Sequence, residues 1–126
     1  MKFMTRKIII ISVFLFVFTS LKSYSQDVKW ILVFTEDNSE MYYEKNTVKY
    51  EGDNIVLLIK HVFKDESSKV SNVIWKIKLL CGEDKFYIYS KTFYYKNGES
   101  KSYTPNNYSI ILEDTPMEKL SDLLCE

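Results

Sequence analysis

The chain ends TPMEKLSDLLCE, residues 115–126, and this dozen decides the fold because its apolar residues recur at helical spacing while the rest alternate. Thr115 offers an N-cap hydroxyl, Pro116 suits the first helical position, where no N–H is needed, and Glu118 stands three residues after the cap, as in a capping box. Met117, Leu120 and Leu124 fall at i, i+3 and i+7, and Cys125 at i+8 joins the same stripe. Glu118, Lys119 and Asp122 are expected to face water. A helix this short is not stable alone. It must dock on the remaining chain, which reads as sheet.

The strand that faces it is residues 73–81, VIWKIKLLC. Val73, Trp75, Ile77, Leu79 and Cys81 share one parity, and Lys76 and Lys78 the other, so one face is apolar. Cys81 points to the face that a covering helix would bury, and Cys125 lies on the helix's buried stripe. Only these two cysteines exist, so one connectivity is open to them. A Cys81–Cys125 disulfide is the expectation, and two free buried thiols are the alternative.

Further out, the alternation continues. Residues 28–34 place Val28, Trp30, Leu32 and Phe34 on one side. Turn chemistry at 36–39 precedes short strands at 41–45 and 47–50, and 55–64 is a longer β-type run. Residues 64–71, KDESSKVS, read as a polar loop. Residues 86–95 form another strand, and Asn97-Gly98 suits a type I′ hairpin turn that pairs 100–103 back across it. Gly52, Gly82 and Gly98 all fall at turns, which leaves none for a phosphate-binding loop. Asn107-Tyr108-Ser109 is formally a glycosylation acceptor and reads as an exposed loop. The class is α+β: an antiparallel sheet with a C-terminal α-helix packed on one face and tied by a disulfide.

Residues 1–25 read as a cleaved signal peptide, with 26–126 as a single domain. Lys2, Arg6 and Lys7 make a positive start, residues 8–18 are apolar apart from Ser12, and Ser23-Tyr24-Ser25 suits cleavage before Gln26. The apolar run is short for a bilayer span, which needs about 20 residues; an uncleaved anchor is the alternative. Beyond residue 25 lie 13 lysines and 17 acidic residues, a net of −4. Such a chain is a poor candidate for nucleic acid. Export permits a disulfide, since thiols stay reduced in the cytosol.

Trp30-Ile31-Leu32-Val33, Met41-Tyr42-Tyr43, the Gly52 turn, a serine-bearing loop, Cys81, the Thr115-Pro116 helix start and Cys125 together resemble the bacterial surface-adhesin E family, over residues 30–125. The resemblance implies a curved antiparallel sheet of about six strands with a disulfide-tied C-terminal helix, and attachment to host extracellular-matrix proteins. Two positions depart from the family pattern. No cysteine near the cleavage point serves as a lipid anchor, and Leu80 stands where an acidic residue usually precedes the mid-chain cysteine. A periplasmic or envelope structural role, without a host ligand, is therefore the alternative function.

Residues that could carry chemistry are few. His61 is the only histidine; it shares parity with Ile55, Leu57, Ile59 and Phe63, and reads as a histidine at the sheet edge or under the helix rather than a general base. Glu36, Asp37, Asn38 and Glu40 lack the spacing of a calcium loop, and two cysteines with one distant histidine do not make a zinc site. No catalysis, cofactor or metal is expected. Tyr87, Tyr89, Phe93 and Tyr95 share a parity in 86–95, and one helix covers one face, so they are the candidate protein-binding surface, facing an unidentified protein or a second copy as a homodimer. Cross-strand aromatic pairing that stabilises the sheet is the alternative reading.

Overall fold

The computed structural model describes residues 27–125. The expected signal peptide, residues 1–25, and Glu126 lie outside them. Eight strands make one antiparallel sheet: β1 (Trp30–Glu36), β2 (Ser39–Glu44), β3 (Lys49–Glu51), β4 (Asn54–Phe63), β5 (Val70–Leu80), β6 (Lys85–Tyr95), β7 (Ser100–Tyr103) and β8 (Asn107–Ile110). The single α-helix among the described residues, α1 (Pro116–Leu124), follows.

The eight strands occupy six lateral ranks. β2 pairs with residues 59–63 of β4 and β3 with residues 54–56, so the two share one edge of β4, separated by a 3-10 turn at Lys45–Thr47. On the far side, β8 runs along residues 85–88 of β6 and β7 along 91–94. The count of about six strands thus describes the width of the sheet, while the chain is broken into eight segments. β8 itself corrects the reading of residues 107–109 as a loop: Tyr108 pairs with Tyr87 and Ser109 with Phe86. β5 starts at Val70, which shortens the expected 64–71 loop. Val28 stays outside β1, and Lys45 and Thr47 belong to the 3-10 turn.

Alternation is clearest in β4, where Ile55, Leu57 and Ile59 are buried and Val56, Leu58 and Lys60 half-buried. With Ile77 and Leu79 of β5, Phe86 and Ile88 of β6 and Met41 of β2, they form the floor on which α1 docks through Leu120, which is 0% exposed. Thr115 accepts a hydrogen bond from the Glu118 N–H at 3.3 Å, as the cap requires. The Glu118 carboxylate turns back to accept from the Asp114 N–H at 3.4 Å, an exposed contact of the capping-box kind made one residue before the cap. Cys81 and Cys125 are bonded, with Cα atoms 5.6 Å apart and a sequence separation of 44.

Two bulges overturn the parity reading. In β1 the register slips between Leu32 and Phe34, so Leu32 pairs with Tyr42 and Phe34 with Met41. Trp30 and Leu32 therefore lie on the face away from α1, whereas Phe34 packs on the helix side. In β6 the register slips opposite Lys76 and Ile77, which leaves Tyr89 as the extra residue. A bulge reverses the side-chain sense beyond it. Phe86 and Ile88 face the helix before the bulge, and Lys91 and Phe93 face that way after it.

Candidate functional site

The β6 bulge divides the expected surface of Tyr87, Tyr89, Phe93 and Tyr95. Tyr87 pairs with Lys78 on the face opposite the helix, and its ring meets those of Tyr89 and Tyr108 edge to face, both with centroids 4.9 Å apart. Phe93 pairs with Val73 and meets Tyr103 edge to face at 5.6 Å on the helix side. Tyr95 follows Phe93 on that side, beside Lys91, Tyr103 and Pro105. The four residues are two sites.

On the helix side, strands of 11 residues reach about 36 Å, while a nine-residue helix reaches about 13 Å. Much of that face is left without a helix. At the boundary, a cavity of about 220 Å³ is lined by residues that include Met41, Ile59, His61, Trp75, Ile110 and Met117. His61 stacks on Phe63 at 4.8 Å; burial pushes its pKa below the ordinary 6.5, and Glu36 pulls it back only in part. Thr115 and Ser109 also line the cavity, but the Thr115 hydroxyl is committed to the Leu112 carbonyl, 2.7 Å away, and to the helix cap. No hydrogen bond joins His61 to a hydroxyl or carboxylate among the described residues. The arrangement is an apolar recess with a half-buried neutral imidazole, lacking the oriented base–nucleophile pair that covalent catalysis uses. Lys91 Nζ sits 4.2 Å from the Trp75 ring centroid, and the buried Trp75 indole N–H has no acceptor among the described residues.

Among the described residues, no helix lies on the outer face. Lys49, Lys60, Lys76, Lys78 and Lys85 all register onto it, with Trp30, Leu32, Tyr42, Val56, Leu58, Ile74, Tyr87 and Tyr108 between them. Lysine ammonium groups lie over the rings: Lys60 at 4.3 Å from Trp30, Lys76 at 5.6 Å from Tyr89 and Lys85 at 5.1 Å from Tyr108. Such contacts hold a cation across an aromatic face. Lys78 pairs with Glu51 at 3.4 Å and Lys85 with Glu83 at 3.9 Å, both partly exposed. At the far corner Glu40 pairs with Lys64 at 2.8 Å, and that hydrogen bond lowers the Glu40 pKa. Lys49, Lys60 and Lys76 have no carboxylate within ion-pair distance among the described residues.

Glu44 also registers toward this face, yet it is buried. Burial pushes its pKa up, but backbone N–H groups of Lys29 at 2.8 Å and Asn46 at 3.0 Å donate to Oε1, and together with Thr47 they win, so its pKa is lowered. It caps the 3-10 turn and ties down the chain entering β1, a local role that the sequence pattern did not single out.

The tyrosine–lysine cluster was half legible. Tyr87 and Tyr89 were picked out; Trp30, Lys60, Lys85 and Tyr108 were not. The alternation of Tyr108 and Ile110 around Ser109 was the signal for Tyr108, hidden because the segment is four residues long. Glu36, Asp37, Asn38 and Glu40 sit on the β1–β2 hairpin, and no group of three or more metal-ligating side chains is found among the described residues. No helix among them is long and apolar enough to cross a membrane. Comparison with protein-family models, curated proteins and solved structures finds no match.

Proposed function

We propose that this chain is an exported, non-catalytic binding module whose outer sheet face docks a protein partner, in the manner of an adhesin attaching to extracellular-matrix proteins. The observation that carries the reading is the Tyr87–Tyr89–Tyr108 cluster, set on a six-rank sheet face that no helix of the described residues covers. Tyrosine offers large contact area and a polar tip at low entropic cost, which is why interfaces are rich in it. The disulfide supports export, because such bonds persist outside the reducing cytosol. The resemblance to the surface-adhesin E family supports the class of partner, as analogy rather than derivation.

The test is surface plasmon resonance with residues 26–126 immobilised against purified matrix and envelope proteins. Saturable binding of at least one matrix protein is expected, weakened at least tenfold by Tyr87→Ser with Tyr89→Ser and unchanged by Tyr103→Ser on the helix side. No binding across the panel, or equal loss from Tyr103→Ser, would sink the proposal. Fractionation adds a second criterion. Protein confined to the periplasm would replace matrix attachment with the envelope role.

A further inference from the structure

The outer face concentrates positive charge on a domain, residues 26–126, whose 13 lysines and 17 acidic residues leave it negative. Five of the 13 lysines beyond residue 25 lie on it in strand positions, against Glu40, Glu44 and Glu51 on the same face. Glu44 is buried, Glu40 is paired with Lys64, and Lys78 and Lys85 already have Glu51 and Glu83 as partly exposed partners. Lys60 and Lys76, without a carboxylate partner among the described residues, therefore supply the face's free charge most directly. The register arranges four of the lysines as an oblique row. Lys60 pairs with Ile74, two residues before Lys76; Lys78 follows on the same strand; Lys85 pairs with Leu80, two residues further on. Each step is therefore either two residues along one strand or one diagonal across adjacent strands, about 7–8 Å in both cases.

We infer that the segment of the partner seated on this face is a short, acidic, extended polypeptide, with carboxylates on alternate residues meeting the row Lys60–Lys76–Lys78–Lys85 and its apolar or aromatic residues meeting Tyr87, Tyr89 and Tyr108. An extended chain places alternate side chains on one side about 7 Å apart, which is the spacing of the lysines. The inference rests on the outer-face reading proposed above and names the chemistry of its ligand. Charge also argues against the other occupants. A second copy docked on the same face about a two-fold axis would set this lysine row against its own image. A long nucleic acid or polysaccharide would experience the whole of residues 26–126 at −4, whereas a short segment bound within one screening length of about 8 Å experiences only the patch. The described residues contain no arginine, the side chain with the planar fork that matches phosphate.

The probe is a fluorescein-labelled 12-residue peptide of alternating Glu and Tyr, titrated with residues 26–126 by fluorescence anisotropy at 50 and 300 mM NaCl. Binding is expected to weaken at least tenfold between the two salts, and at least tenfold in Lys60→Gln with Lys76→Gln at low salt. Lys91→Gln with Lys101→Gln, which removes the same charge from the helix side, is expected to leave the affinity within twofold. Equal loss in both double variants would overturn the inference, since the attraction would then be diffuse. Tighter binding of a heparin oligosaccharide or of oligo-dT than of the peptide would overturn it in favour of those polyanions. Circular dichroism melts of both double variants verify folding. If a matrix protein is lost on tyrosine substitution but held by the Lys60 and Lys76 variant, the outer-face reading stands and the acidic ligand fails. If neither variant changes its binding, both fail.

Discussion

Removing the Cys81–Cys125 bond tests the central mechanical feature of this fold. With the cysteines separated by 44 positions in sequence, the loop-closure relation gives an entropy of about 13 cal/mol/K, or about 4 kcal/mol at 25 °C. That is a large share of the 5–15 kcal/mol by which domains are typically stable. A domain of this size shifts its midpoint by roughly 4–8 °C per kcal/mol, so Cys81→Ser with Cys125→Ser is expected to melt about 15–30 °C below the oxidised wild type. Differential scanning calorimetry of residues 26–126 measures this, with wild type in reductant as a second arm. The double variant is used because a single substitution leaves a reactive thiol. A shift below about 5 °C in both arms would refute the reasoning: α1 would then be held by Leu120 and its neighbours, and the cross-link would constrain an already compact unfolded chain.

Packing gives a separate prediction. Leu120→Ala with the disulfide intact should lower stability by about 3 kcal/mol, read from urea midpoints, because Leu120 is wholly buried on the sheet and the cavity left by a leucine truncation is only partly relaxed. His61 predicts a pH effect. Its pKa is lowered by burial in the fold, so the unfolded chain binds the proton more readily. Stability from the neutral imidazole is complete above about pH 6.5 and declines as pH falls from there towards the folded-state value. His61→Phe should flatten the dependence of Tm on pH between about 6.5 and 5; an unchanged slope would assign it to the carboxylates instead.

Local chemistry made several elements readable in advance. The Thr115-Pro116 start of α1 rests on side-chain capping of a few adjacent residues. Asn97-Gly98 does mark the turn, but not a type I′ one: of the two only Gly98 takes a positive φ, +92°, and the turn is closed by the Gly98 N–H donating to the Tyr95 carbonyl at 3.0 Å. Parity within β4 and β5 was sufficient to pair Cys81 with Cys125, since neither β4 nor residues 73–80 of β5 contains an extra residue and Cys81 follows directly on the end of β5. The candidate surface was less legible. Tyr87 and Tyr89 were found as residues, but their grouping with Phe93 and Tyr95 failed at a single inserted position.

The sequence by itself therefore determined the class of fold, its covalent fastening and which residues would be buried in the central strands, because those follow from short-range periodicity and caps. Tertiary structure alone decided which side chains share a face. A bulge is a property of two strands in register: Tyr89 is extra only relative to Lys76 and Ile77, and Val33 only relative to Met41 and Tyr42. Nothing in either strand taken alone announces the slip. The break between β7 and β8 at residues 104–106 lies opposite the same irregularity, so the edge that carries Tyr108 was also set by pairing. The lysine row on the outer face arises in the same way, from four residues on three strands that only the sheet brings into line.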